Sequence, residues 1–254
     1  MCPAAAGGGA SGKKPRFLPE ARWAGHDARI QRFNKYSPLS VANPSGRRGA
    51  SARTLRIIGG IWRGRRLRFP PSPDIRPTPD RVRETLFNWL APRVPGSRCL
   101  DLFAGSGALG LEALSRGAAH VTFVEREASA AREISARLAE WGAHAARVER
   151  TDARSFLERT PAAPFDIVFL DPPFASTLLA EAALRLEQGG WLSGDALIYV
   201  ECPAEATANA RTAAAEAAAG LPLLAPLWTP LKAKRAGEVG YHLYSRAARG
   251  AHSE

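Results

Sequence analysis

The sequence predicts an α/β fold in which a mostly parallel sheet is covered by helices on both faces. From residue 98 onward, short apolar runs with strand character alternate with longer amphipathic segments of helical spacing. Strands that are joined through helices run parallel, because each helix carries the chain back to the edge of the sheet where the previous strand began. The 254 residues, of which 45% are hydrophobic, are enough for one large domain with appended segments.

Five strands and five helices are predicted in strict alternation. The strands lie at about 98–103, 120–125, 145–150, 166–170 and 195–201, and the helices at about 107–117, 127–141, 152–158, 175–188 and 204–219. Two further runs, 228–234 and 239–244, flank a turn that contains Gly237 and predict a closing antiparallel hairpin. The main domain therefore spans residues 96–246.

The remaining residues predict an N-terminal extension and two tails. In the extension, residues 53–95, apolar–polar alternations around Gly59-Gly60 predict a hairpin, and a Pro-rich connector leads to a helix that begins at Pro79 or Asp80. Residues 1–52 have no sustained periodicity and indicate a flexible basic tail, and residues 247–254 form a C-terminal tail.

Arginines are dense in the extension. The net charge is +11, and nine arginines lie between Arg53 and Arg83 against only Asp74 and Asp80. A localised basic segment favours a polyanionic partner such as nucleic acid. No apolar stretch is long enough to span a membrane, and the three scattered cysteines predict neither a disulfide framework nor a metal site. A cytoplasmic protein is the default expectation.

A glycine-rich loop follows the first strand of the main domain. Gly105, Gly107 and Gly110 match the pattern G-x-G-x-x-G between a strand and a helix, where glycines allow a ligand to approach the backbone closely. Asp101 precedes the loop. A carboxylate there would favour a cationic ligand and repel a pyrophosphate, so S-adenosylmethionine is favoured over a dinucleotide, which would use the same glycines.

Carboxylates follow four successive strands of the predicted sheet. Besides Asp101, these are Glu125, Asp152 and Asp171. Singly, each is typical of a helix cap or a solvated strand end. Together they fall on the edge where open α/β sheets bind ligands, and they predict a nucleoside site in which Glu125 accepts the ribose hydroxyls and Asp152 an adenine amino group.

The fourth of these strands ends in the sequence Asp171-Pro172-Pro173-Phe174. The prolines fix φ and push the preceding residues toward extended geometry, which makes a stiff turn. Such a turn could hold a flat ring that bears an amino group, with Phe174 against the ring and acceptors at Asp171 and the Pro172 carbonyl. The plain alternative is a rigid loop.

These segments resemble known enzymes. Asp101 to Gly110 is similar to the cofactor loop of class I methyltransferases, and the turn at Asp171 resembles their (N/D)-P-P-(Y/F/W) motif for exocyclic amino groups. More specifically, the chain from about residue 53 to 246 resembles the bacterial small-subunit (16S) ribosomal RNA guanine-N2 methyltransferases. The segments that carry this resemblance are Arg56–Gly60 with Trp62–Gly64, Arg76–Thr78, Asp80–Leu90, Gly105–Gly117 and Ala196–Glu201.

The resemblance implies a class I methyltransferase (Rossmann-like) fold with a seven-stranded sheet whose last strand is antiparallel. It implies S-adenosylmethionine as cofactor, 16S rRNA or an assembling 30S subunit as partner, and catalysis by orientation at Asp171, Pro172 and Phe174. The expected cofactor contacts are Asp101, Phe103, Gly105, Ser106, Gly107, Gly110, Glu125, Asp152, Ala153 and Asp171. The expected RNA contacts are Arg56, Trp62, Arg63, Arg65, Arg66, Arg76 and Arg81. We expect a monomer without a metal ion.

Three other functions fit parts of the sequence. A DNA adenine-N6 methyltransferase uses a similar turn, but the chain has no room for the large target-recognition domain usual in that class. A methyltransferase of small metabolites would not need the basic extension. A non-catalytic RNA-binding protein would not need both the glycine loop and Asp171.

Overall fold

A computed structural model describes residues 53–69, 78–174, 177–204, 224 and 227–246. Nine strands are described: β1 Arg53–Arg56, β2 Arg66–Phe69, β3 Arg98–Asp101, β4 His120–Val124, β5 Ala146–Glu149, β6 Phe165–Leu170, β7 Leu192–Pro203, β8 Trp228–Ala236 and β9 Val239–Arg246. The helices among the same residues are α1 Asp80–Leu90, α2 Ala108–Ser115, α3 Ala128–Glu140, α4 Ala153–Leu157 and α5 Leu178–Gln188. The two predicted tails and Arg76 lie outside the described residues, as does nearly all of the helix predicted at 204–219.

Seven strands form one sheet in the order β5-β4-β3-β6-β7-β9-β8. β3 to β7 are parallel, whereas β9 runs antiparallel to both β7 and β8. The predicted α/β class and the antiparallel last strand are thus confirmed. β9 lies between β7 and β8, and β8 is the edge strand. The order reverses at β3, whose carboxyl end is therefore the expected ligand site.

Apolar residues of β6 alternate between two cores, one on each face of the sheet. Ile167 and Phe169 belong to the core beneath α1, α2 and α3, and Val168 and Leu170 to the core beneath α4 and α5. A strand that is buried on both faces reads as a continuous apolar run, which explains why the pattern predicted it well.

β1 and β2 pair as the predicted antiparallel hairpin, and its connecting loop is fixed to α2. The carboxylate of Glu112, which is fully buried, accepts hydrogen bonds from the N–H groups of Ile58 and Gly59, each at 2.8 Å. The loop is tight at Gly60, whose φ is +75° and where a Cβ would lie 1.8 Å from the Ser115 carbonyl oxygen. The predicted helix of the extension is α1, and its buried Arg83 donates to Glu112 at 3.4 Å.

Candidate active site

A cavity of about 1230 Å³ lies at the carboxyl edge of the sheet. It is lined by residues at or just beyond the ends of the parallel strands β3 to β7, as the positions of the four carboxylates predicted. The predicted site residues that line it are Asp101, Phe103, Gly105, Ser106, Glu125, Asp152, Ala153, Asp171, Pro172 and Phe174.

Gly107 and Gly110 are not among the lining residues, and their roles are conformational. Gly107 has a φ of +74° and stands directly before α2, which is why the helix starts one residue later than predicted. At Gly110 a Cβ would lie 2.2 Å from the ring of Phe123, so the absence of a side chain lets α2 pack directly on β4. Both residues therefore determine the conformation and packing of the loop and do not line the cavity.

The amides of the glycine loop are already engaged within the protein. Gly105 N–H donates to Glu125 Oε2 at 2.7 Å, Gly107 N–H to the Ala104 carbonyl at 2.6 Å, and Gly110 N–H to Asp101 Oδ2 at 3.0 Å. A pyrophosphate bound by this loop would need such amides as donors. The arrangement therefore disfavours a dinucleotide.

Asp101 is a buried carboxylate at the base of the cavity. Burial raises its pKa to about 7, the Gly110 amide opposes this, and the charges of Glu125 and Glu201 add to the increase. No ion pair joins Asp101 to a basic side chain in the described part of the chain. A cationic ligand beside Asp101 would supply the missing positive charge.

Glu125 and Asp152 combine structural contacts with a place in the cavity wall. Glu125 Oε1 accepts from the N–H of Glu127 at 2.7 Å, in addition to its bond with the loop. Asp152 caps α4 by accepting from the N–H of Ser155 at 3.0 Å, and this bond holds the pKa of Asp152 below its ordinary value. Each carboxylate oxygen can accept a further hydrogen bond, so capping does not prevent ligand contact.

The turn after β6 presents its aromatic ring to solvent and its carboxylate to the cavity. Pro172 is buried, whereas Phe174 remains 44% exposed although it lines the cavity. Burial, followed by the charges of Glu201 and Asp101, raises the pKa of Asp171 well above its ordinary value. An exposed ring beside a partly buried carboxylate in the cavity wall is an arrangement that suits a flat, amino-bearing substrate.

Comparisons with known proteins agree with this geometry. A sequence profile of the family described as Conserved hypothetical protein 95 matches residues 55–245. The chain belongs to this family. Ribosomal RNA small subunit methyltransferase D of Escherichia coli (strain K12) is 50% identical over 196 residues, which cover 77% of this chain and 92% of that protein.

Two further comparisons support the same conclusion. The protein of the same name from Haemophilus influenzae is 44% identical over 194 residues, which cover 75% of this chain and 93% of that protein. The solved structure of yhhF from Escherichia coli is 48% identical, with a TM-score of 0.64, and covers 78% of this chain and 100% of that one. The family expected from the segments around Arg56 and Asp80 is thus confirmed, and the protein is a methyltransferase.

Sequence reasoning missed a fifth carboxylate in the cavity of this methyltransferase. Glu201 lies near the end of β7, is 4% exposed, and accepts hydrogen bonds from Thr78 Oγ1 and Tyr199 OH, each at 2.9 Å. The signal was present, because Glu201 directly follows a buried apolar run, as Asp171 does. Thr78 brings the start of the extension's helix into the cavity wall, a contact that no local pattern shows.

The residues of the extension that were expected to contact RNA differ in their exposure to solvent. Trp62 is a correction: it is only 7% exposed and packs on Trp141 with ring centroids 5.1 Å apart, so it belongs to the core rather than to a nucleic-acid surface. Arg56 is exposed and pairs with Asp80 at 3.0 Å. Arg63, Arg65, Arg66 and Arg81 are exposed, and none forms an ion pair with a described residue.

A second basic surface, which the sequence analysis did not assign, lies on β8. Its members are Lys232, Lys234 and Arg235, which are exposed and form no ion pair with a described residue. Arg235 also lines the cavity. Lys234 Nζ lies 6.0 Å from the ring centroid of Trp89 on α1, so this β8 surface adjoins the extension.

The described residues contain no helix long and apolar enough to cross a membrane. Nor does any group of three or more His, Cys, Asp or Glu side chains within those ranges have an arrangement that could hold a metal ion.

Proposed function

We propose that this methyltransferase transfers a methyl group from S-adenosylmethionine to the exocyclic N2 of a guanine in 16S ribosomal RNA. The observation that carries the proposal is the turn at Asp171, which opens into the cavity of a chain that is 50% identical to a small-subunit ribosomal RNA methyltransferase. The choice of guanine N2 rests on the family resemblance, because adenine, cytosine and guanine all offer an amino group to such a turn.

The carboxylates of the cavity fit S-adenosylmethionine as the cofactor. Asp101 would face its positive charge, Glu125 would accept the ribose hydroxyls, and Asp152 would accept the adenine amino group. The engaged amides of Gly105 and Gly110 support this choice over a dinucleotide. When bound, the cofactor supplies a methyl group on a sulfonium, and its leaving group is a neutral thioether that needs no acid.

The turn at Asp171 would orient the nucleophile, which is the guanine amino group. The lone pair of a guanine amino group is delocalised into the ring, so the group reacts only when it is oriented toward the methyl carbon. Asp171 and the Pro172 carbonyl would accept its two N–H bonds, and Phe174 would fix the ring plane. After transfer, the surplus proton of N2 would pass to the Asp171 carboxylate, which its raised pKa makes a better acceptor.

The two basic surfaces would hold the RNA backbone around the cavity. Arg56 pairs with the first residue of α1, close to the cavity wall, whereas the hairpin loop is bonded to the middle and far end of α2 at Glu112 and Ser115. The hairpin therefore extends away from the cavity along α2, over about 10 Å at 1.5 Å per residue. RNA along this path would meet Arg63, Arg65 and Arg66, while the β8 surface would meet it near the cavity. The target base must be unpaired or flipped to enter.

One experiment separates this proposal from its alternatives. The protein is incubated with labelled S-adenosylmethionine and, in parallel, with 30S particles that lack the modification, naked 16S rRNA, or duplex DNA. We expect transfer to one or both RNA substrates and none to DNA. Transfer to DNA alone would instead support an adenine-N6 enzyme, and binding of RNA without any transfer would support a non-catalytic protein.

A further inference from the structure

Glu201 is a buried acidic group beside the turn that would hold the substrate. In the parallel register of β6 and β7, the last pair is Leu170 opposite Val200, and Asp171 and Glu201 are the residues that directly follow this pair on the two chains. Both residues line the cavity. A second carboxylate therefore stands next to the one that we assign to the amino group, on a neighbouring strand with a fixed register.

Two hydroxyl groups hold the Glu201 carboxylate. Burial raises the pKa of Glu201, and the hydrogen bonds that Thr78 Oγ1 and Tyr199 OH donate to Glu201 Oε1 oppose this increase by favouring the ionised form. Thr78 also belongs to the extension, since its carbonyl accepts from Arg83 Nε at 3.2 Å. Glu201 is therefore bonded to the extension, and it lines the same cavity as the turn that would hold the base.

The described ionisable groups whose charges act on Asp171 are all acidic. They are Glu201 and Tyr199 on β7 and Asp101 on β3. Asp171 can accept a proton only when it is ionised, and the ionised form is also the stronger acceptor of an N–H bond. The pH range in which it does so therefore depends on whether its neighbours carry negative charge, since like charges in one site cannot all ionise freely.

We propose that Glu201 is a positioning residue for methyl transfer: its carboxylate, held by Thr78 and Tyr199, controls the ionisation of Asp171 and links that control to the extension. Glu201 forms no bond to the substrate in this scheme. The inference rests on the proposed function, because it takes Asp171 as the acceptor of the amino group.

The first test needs neither RNA nor cofactor. Protein labelled with ¹³C at the aspartate carboxyl groups is titrated by NMR, and the Asp171 signal is assigned by its loss in Asp171→Asn. Glu201→Gln, which removes the charge at nearly constant shape, should lower the Asp171 midpoint by about one pH unit or more. Glu238→Gln removes an exposed carboxylate from the same cavity wall and should leave the midpoint in place. An unchanged midpoint in Glu201→Gln would overturn the proposal.

A second variant keeps the test usable if Glu201→Gln fails to fold. Thr78→Val preserves Glu201 but removes one of its two donors, so the pKa of Glu201 should rise and Glu201 should carry less negative charge at a given pH. The Asp171 midpoint should then fall by a smaller amount than in Glu201→Gln. A midpoint that stays fixed or rises in Thr78→Val would contradict the assigned coupling.

The second test is the pH dependence of methyl transfer to RNA. In Glu201→Gln the acid limb of the rate profile should shift to lower pH together with the Asp171 midpoint. At a pH below the acid limbs of both the wild type and the variant, the variant should therefore retain about a tenfold larger fraction of its maximal rate than the wild type does. A lower plateau with an unmoved limb would show that Glu201 is only structural and would overturn the proposal. If the NMR midpoint moves but the rate has no acid limb, Asp171 is not the acceptor: the proposed catalytic role fails, while the coupling itself stands.

Discussion

Replacing Glu112 with alanine should weaken the attachment of the hairpin to α2 and destabilise the protein. The carboxylate accepts hydrogen bonds from the amides of Ile58 and Gly59 at 2.8 Å, from Arg116 Nε at 2.7 Å and from Arg83 Nη1 at 3.4 Å. Glu112→Ala removes the acceptor for all of them at once. The change therefore tests whether one buried side chain fixes the hairpin on α2.

The expected cost follows from these contacts. Breaking a buried ion pair by removing one partner costs about 3–5 kcal/mol. Arg83 keeps Asp80 at 2.6 Å, which favours the lower end of that range, but two amides lose their acceptor at roughly 1–3 kcal/mol each, and such terms are not additive. We expect a loss of about 4 kcal/mol, which corresponds to a melting temperature lower by roughly 8–16 °C for a domain of this size.

Urea denaturation of the purified protein measures this loss. The matched control is Glu133→Ala on α3, which removes a carboxylate that is 43% exposed and 3.7 Å from Arg137 and should cost less than about 1 kcal/mol. Glu112→Gln keeps an acceptor without the charge and should fall between the two. If Glu112→Ala cost no more than Glu133→Ala, the anchoring role of Glu112 would be refuted.

Three further changes test the site. Gly110→Val adds a branched side chain at a position where even a Cβ would lie 2.2 Å from the ring of Phe123 on β4, so binding of S-adenosylmethionine measured by calorimetry should be lost or weakened at least tenfold; unchanged affinity would contradict the loop assignment. Changing Arg63, Arg65 and Arg66 together to alanine should reduce the slope of log K against log[salt] for RNA binding by about two units if all three contact phosphates, and an unaltered slope would place these arginines outside the interface. Asp171→Ala should abolish turnover, here a loss of at least a hundredfold, while cofactor affinity changes only a few-fold; near-normal turnover would exclude the proposed role of Asp171.

The carboxyl edge of the sheet could be predicted because its signals are local. Each buried strand reads as an apolar run that ends in a carboxylate, and the topology of a parallel sheet then places those ends together. Asp101, Glu125, Asp152 and Asp171 were found in this way, and all of them line the cavity. Glu201 also directly follows a buried apolar run, so the same pattern would have predicted it, but Glu201 was used only as part of the segment that resembles the family.

Packing between distant segments could not be predicted from local patterns. A tryptophan among arginines suggests a nucleic-acid surface, yet Trp62 is buried because Trp141, far along the chain, offers it a partner. Gly107 and Gly110 matched a ligand-binding motif, but the pattern does not tell a glycine that faces a ligand from one that faces a neighbouring helix or strand. The contact of Thr78 with Glu201 likewise depends on how the extension folds back onto β7.

The central claim is that the turn at Asp171 presents a guanine amino group of ribosomal RNA for methylation. Mass spectrometry of nucleosides from 16S rRNA, taken from 30S particles that lacked the modification before incubation with the protein and S-adenosylmethionine, tests this claim most directly. The predicted result is N2-methylguanosine approaching one residue per particle, absent when Asp171→Ala replaces the protein. A methylated adenosine or cytidine in its place, or N2-methylguanosine formed equally well by Asp171→Ala, would contradict the account.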